Sequence, residues 1–151
     1  MFSLDITNFT KQQVSPKLLT AVATYTARRL RLSGELSLVL AGDRRLHTLN
    51  KKFRSYNKTT DVLTFPAPVA VKNALGEIFI NLNDCHRPQK YREVFKEKKS
   101  FHYILIFLLI HGLLHLAGDD DRTEKERLQM VARGEKIMQE LFKNAIIKAN
   151  L

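Results

Sequence analysis

The stretch from Tyr103 to Asp121 reads YILIFLLIHGLLHLAGDDD. From Tyr103 to Ala117 it is apolar on nearly every side of a helical wheel, so a helix here has no face to offer water and must be covered by neighbouring elements. A bilayer is not the expected cover, because a spanning helix needs about 20 apolar residues. This run is shorter, contains His111, Gly112 and His115, and ends in acids. It reads as the central helix of a soluble domain, and the rest of the chain has to enclose it.

The same stretch carries chemistry. Side chains at i and i+4 share one helix face, about 5 to 6 Å apart at their Cβ atoms, so His111 and His115 can converge on one ion. Gly118 can take the left-handed conformation that ends the helix and turn the chain back, which brings one of Asp119, Asp120 and Asp121 toward that ion as a third ligand. The helix of common zinc proteases has a glutamate directly after its first histidine as general base, and here that position is Gly112. A metalloprotease is therefore disfavoured.

Composition bounds the partners. The chain has 151 residues, 44% of them hydrophobic, which suits one domain with a real core. Its 25 Lys and Arg against 15 Asp and Glu give a net charge of +10, a balance that favours a polyanionic partner such as RNA, DNA or an anionic membrane surface, among which composition alone does not choose. The single cysteine, Cys85, cannot form an internal disulfide and reads as a small buried residue, and MFSLDITNFT lacks the basic-then-apolar order of a secretory signal. A cytoplasmic protein is expected.

Outside the apolar run, FSLDITN (2–8) alternates as a strand, and Ser15 with Pro16 starts a helix that runs to about Leu32. ELSLVLA (35–41) is a second strand, after which Asp43 is placed to cap a basic helix carrying Leu46, Leu49 and Phe53. DVLTFP (61–66) and GEIFINL (76–82) are the third and fourth strands, and residues 83–99 hold a short helix or loop. The long helix spans about Lys98 to Ala117. Thr123 and Glu126 form a capping box for a last helix to about Phe142, with Leu128, Val131, Ile137 and Leu141 inward, and residues 143–151 are expected to fray. The sum is an α+β or α/β domain: one small mixed four-stranded sheet packed with about five helices over residues 1–151.

TDVLTFP (60–66) and HGLLHLAGDDD (111–121), in that order, together resemble the YbeY family of bacterial rRNA maturation factors, as does LNKKFRSYNKTTDVLTFP followed by Gly76 and Glu77. The resemblance covers about Leu36 to Leu141. It implies a compact α+β domain and a metal-dependent, single-strand-acting endoribonuclease of rRNA maturation and ribosome assembly or quality control, with zinc in a positively lined cleft. Two of the family's three histidine ligands fall on His111 and His115, while the third corresponds to Asp121. A carboxylate oxygen also ligates zinc, so the expected ligand set is His111, His115 and Asp121, with the ion a weaker Lewis acid and manganese or iron admitted.

For cleavage of a phosphodiester, Arg54, which matches the family's cleft arginine, is the candidate to meet negative charge on the phosphate, and His111 is the second candidate catalytic residue. The general base is open among solvent on the ion, Asp61 and a histidine. Asp61 is expected to serve better as a hydrogen-bond tie between its strand and the metal helix. His47, His86 and His102 have no partner pattern and read as structural or surface residues. The competing reading is a non-catalytic assembly factor with a structural metal, whose basic face docks on rRNA or a ribosomal protein.

Overall fold

In the computed structural model, which describes residues 1–151, the apolar run forms one helix, Phe101–Leu116. The Ser100 hydroxyl closes its start by accepting from the Tyr103 amide at 3.1 Å. In chain order the elements are β1 (Phe2–Asn8), α1 (Pro16–Arg29), β2 (Gly34–Ala41), α2 (Asp43–Arg54), β3 (Val62–Pro66) and β4 (Ala74–Asn81). They are followed by α3 (Leu82–Cys85), a 3₁₀ turn (Pro88–Tyr91), α4 (Arg92–Phe95), the apolar helix α5 and α6 (Glu124–Lys143). The architecture is α+β. The two short helices α3 and α4 come from the polar segment that the sequence leaves undivided.

The sheet is mixed, in the order β1-β2-β4-β3, with β1, β2 and β4 parallel and β3 antiparallel at the edge beside β4. Alternation decides its faces. Leu36, Leu38 and Leu40 of β2 and Ile78 and Ile80 of β4 point to one side and are fully buried, while Glu35 and Glu77 point away. The buried side meets α5, which also packs on α1, α3 and α6. Every residue from Ile104 to Ile110 is buried, as an all-round apolar helix requires. On the opposite face, α2 sets Leu46 against Ala41 and Leu63 in a second, smaller cluster. None of the helices is long and apolar enough to cross a membrane.

The packing of α5 on the sheet depends on Gly112. A Cβ at that position would stand 2.8 Å from Ile78 Cδ1 and 2.9 Å from Ile78 Cγ2, so the helix lies on β4 too closely for any side chain there. Position 112 therefore faces the sheet. This gives a steric reason for the missing protease-type glutamate, because a carboxylate there would be driven into the core.

Several local expectations are corrected. α1 stops at Arg29 rather than near Leu32, because Arg31 turns to a positive φ of 58° and the Leu32 amide returns to the Ala27 carbonyl. Asp43 does not cap α2; Gly42 holds the cap position, and the Asp43 carboxylate accepts from Arg87 at 2.7 Å and from Asn81 at 2.8 Å. On α6 Ile137 and Leu141 face inward as expected and Val131 packs half-buried against the core, but Leu128 is exposed and Met130, Gly134 and Met138 complete the buried face. Beyond α6, the Ile146 and Ile147 amides return to the Leu141 carbonyl and Ile147 is buried.

Candidate metal centre

The end of α5 is a Schellman turn. The Gly118 amide donates to the His115 carbonyl at 3.0 Å and the Asp119 amide to the Leu114 carbonyl at 3.0 Å, with Gly118 at φ 103°. This reverses the chain directly below the histidines and brings the acids up beside them. Asp119 spends its carboxylate on Arg133, and Asp120 pairs with Arg122 at 2.9 Å. Asp121 is left to face the imidazoles, with Oδ2 at 3.6 Å from His111 Nε2 and 3.4 Å from His115 Nε2. One ligand atom from each of these three residues lies within 4.8 Å of the others.

These separations are too long for good hydrogen bonds. They match an ion. Bonds of about 2.0 to 2.2 Å in a tetrahedral arrangement set ligand atoms about 3.4 Å apart. The protonation states fit as well. His115 Nδ1 lies 3.1 Å from the Asp119 carbonyl, which can only accept, so Nδ1 carries the hydrogen and Nε2 is the ring nitrogen turned toward Asp121. Burial, and then the neighbouring His115, holds His111 below its ordinary pKa, so its imidazole is neutral and available as a donor at neutral pH. His111 Nδ1 is buried without a hydrogen-bond partner. Two imidazole nitrogens and one carboxylate oxygen form a donor set that accepts zinc and several other divalent ions.

The cluster opens into a cleft of about 830 Å³ whose walls come from the C-terminal end of α2, the loop after it, β3 and the turn after α5. Arg54 lies on its wall. Its Nη2 donates to the Thr64 carbonyl at 2.9 Å and its guanidinium sits 5.5 Å from the Phe65 ring centroid. One donor is thus used as an anchor while the remaining N–H groups are free for an anion.

Asp61 lines the same cleft but does not bond to α5. Its Oδ2 accepts from the Tyr91 hydroxyl at 2.9 Å, and burial beside Asp61 raises the Tyr91 pKa, so the phenol stays a donor. The expected tie between Asp61 and the metal helix is thus replaced by a tie to the 3₁₀ turn. No local pattern announces a partner that distant in sequence. Cys85 is buried with its thiol pushed up to about 12 by desolvation and by Asp61 and Asp84, which removes it as a nucleophile. His47 and His86 bond to Asn57 and Gln12, and His102 packs edge-on to Phe101. Tyr56, Lys58 and Arg122 also line the cleft, and no local pattern marks them out.

Comparison with known proteins identifies relatives of this chain. The family model described as "Endoribonuclease YbeY" matches residues 3–142. The chain is 35% identical over 130 residues to "Endoribonuclease YbeY" of Chelativorans sp. (strain BNC1), covering 83% of this chain and 76% of that protein. It is 37% identical over 130 residues to the protein of the same name from Myxococcus xanthus (strain DK1622), of whose length it spans 42%. The solution structure of TM1509 from Thermotoga maritima shares the fold, with a TM-score of 0.60 at 24% identity over 95% of this chain and 91% of that one.

Proposed function

Since the chain belongs to the YbeY family of endoribonucleases, we propose that it hydrolyses single-stranded RNA with a divalent ion held by His111, His115 and Asp121. The RNA we assign is rRNA, cut in the cytoplasm during ribosome maturation or quality control, in contact with the ribosome or a ribosomal protein. The observation that carries this reading is the meeting of two imidazole nitrogens and one carboxylate oxygen at 3.4 to 3.6 Å at the base of a cleft walled by Arg54. The net charge of +10 supports a polyanionic substrate.

When bound, a divalent ion supplies Lewis acidity, polarising a phosphoryl oxygen and lowering the pKa of water. The protein does the rest. Arg54, anchored on Thr64, presents its free N–H groups to the negative charge that builds on the phosphoryl oxygens. The Asp119 carbonyl fixes the His115 ring, so the ligand nitrogen is preset before substrate arrives. Among the cleft carboxylates, Asp120 pairs with Arg122 and Asp121 joins the histidines, while Asp61 accepts only from a phenol. Asp61 is therefore the group assigned to take the proton from the attacking water. The donor set suits zinc and admits manganese or iron.

The test is cleavage of a labelled single-stranded RNA by wild type, by metal-stripped protein with and without added zinc or manganese, and by His115→Ala. The reading requires loss on stripping, recovery on addition and no recovery in the variant. Cleavage that persists in both the stripped protein and His115→Ala would refute it.

A further inference from the structure

α2 is followed by its cap residue Ser55, whose left-handed φ of 61° sends the chain into a short turn on the cleft rim. That turn is pinned at three points. The buried Asn50 holds two of them: its carbonyl accepts from the Tyr56 amide at 3.3 Å, and its side-chain amide donates to the Lys58 carbonyl at 2.9 Å. His47 holds the third by bonding Asn57 Oδ1 at 2.7 Å. The turn so fixed presents Tyr56 to the cleft with 59% of its surface exposed.

Burial does not explain this ring. Tyr56 has no hydrogen bond through its hydroxyl and no aromatic neighbour, and its one specific contact is Lys58, whose Nζ lies 5.6 Å from the ring centroid. Apart from the histidines it is the only aromatic side chain lining the cleft. An exposed aromatic face on a rigid turn, flanked by cations and opening onto a candidate phosphate-cleaving centre, has the chemistry of a nucleobase platform: the ring stacks on a base while the cation meets the adjoining phosphate. A base inside a duplex has both faces occupied by its neighbours and cannot use such a platform.

We propose that Tyr56 is the base-stacking residue of the cleft and Lys58 the partner of the neighbouring phosphate, so that the enzyme selects RNA with an unstacked base beside the bond it cuts. This rests on the RNA-cleaving reading above, and binding measurements separate the two. The probe is a short single-stranded oligoribonucleotide containing a fluorescent adenine analogue whose emission is quenched by stacking, titrated with full-length metal-stripped protein. Wild type and Tyr56→Phe should bind it with quenching, and Tyr56→Ala should bind about 5- to 100-fold more weakly without quenching. An oligonucleotide with an abasic position in place of the analogue should bind wild type and Tyr56→Ala alike. Because the side chain is exposed, Tyr56→Ala should keep the wild-type circular dichroism spectrum. Tyr56→Ala matching wild type on the first probe, or losing affinity equally on both, would overturn the stacking role alone. Failure of wild type to bind either oligonucleotide would overturn the RNA reading as well.

Discussion

The His115 imidazole donates its Nδ1 proton to the backbone carbonyl of Asp119, 3.1 Å away, across the turn that ends α5. The turn is thus more than a helix stop. The glycine that permits it also places the carbonyl that orients the His115 ring and the carboxylate of Asp121 that faces it. Gly118 has φ 103° with nothing within 4 Å of a Cβ built on it, so a methyl group there meets no clash and acts through backbone conformation alone. Gly118→Ala should cost about 1 kcal/mol or more in denaturant unfolding. It should also weaken metal binding, read by titration with a chelating indicator; metal affinity equal to wild type would separate the turn from the site.

Gly112 and Ile78 report on the other side of the same helix. Gly112→Ala should destabilise the protein by about 1 to 3 kcal/mol through overpacking, because the new methyl would lie 2.8 Å from Ile78 Cδ1. Ile78→Val removes that atom, so the double variant should be less destabilised than the sum of the two single changes. The unfolding midpoints of the four proteins form the cycle, and strict additivity would argue against the contact.

Asp43 ties α2 to the segment after α3 and gives a pH signature. Its hydrogen bonds from Arg87, and then from Asn81 and Asn83, hold its carboxyl well below the ordinary 3.8. The folded-state pKa is depressed, so this contribution to stability is present above the unfolded value and is lost as pH falls through 3.8 toward the folded one. The stability difference between wild type and Asp43→Asn should therefore be largest at neutral pH and shrink on acidification below about pH 4. Thermal unfolding across that range checks it, and a gap independent of pH would contradict it.

Arg54 separates charge from shape. Lysine restores the positive charge but not the planar fork or the anchor on Thr64. Arg54→Ala should lower RNA cleavage by roughly 100-fold, and Arg54→Lys should recover only part of that, with little change in unfolding midpoint for either. Full rescue by lysine would mean that a point charge is sufficient.

Much of this arrangement is written locally and some of it is not. The all-apolar run specifies a covered helix, the i, i+4 histidines specify a shared face, and Gly118 specifies the reversal, because each depends on residues within one or two turns of one another. Spacing alone leaves open which acid joins the histidines, and only the motif register points to Asp121; the physical reason, Arg133 and Arg122 occupying Asp119 and Asp120, appears in the fold. Asp43 carries the signature of a cap, yet tertiary pairing with Arg87 claims its carboxylate. Leu128 fits a helical stripe, but the face of α6 that meets α5 is set by Gly134, against which the Phe107 ring packs. The Asp61–Tyr91 bond and the pinned turn bearing Tyr56 join segments whose proximity exists only in the fold.

The central claim is that His111, His115 and Asp121 hold one ion together. Calorimetric titration of metal-stripped protein with zinc, and then manganese, tests it most directly, using wild type, His115→Ala and Asp121→Ala. The account predicts one site per chain in wild type, lost in His115→Ala and weakened at least 10-fold, on the order of 1.4 kcal/mol, in Asp121→Ala. Equal binding by all three proteins, or no binding by wild type, would contradict it.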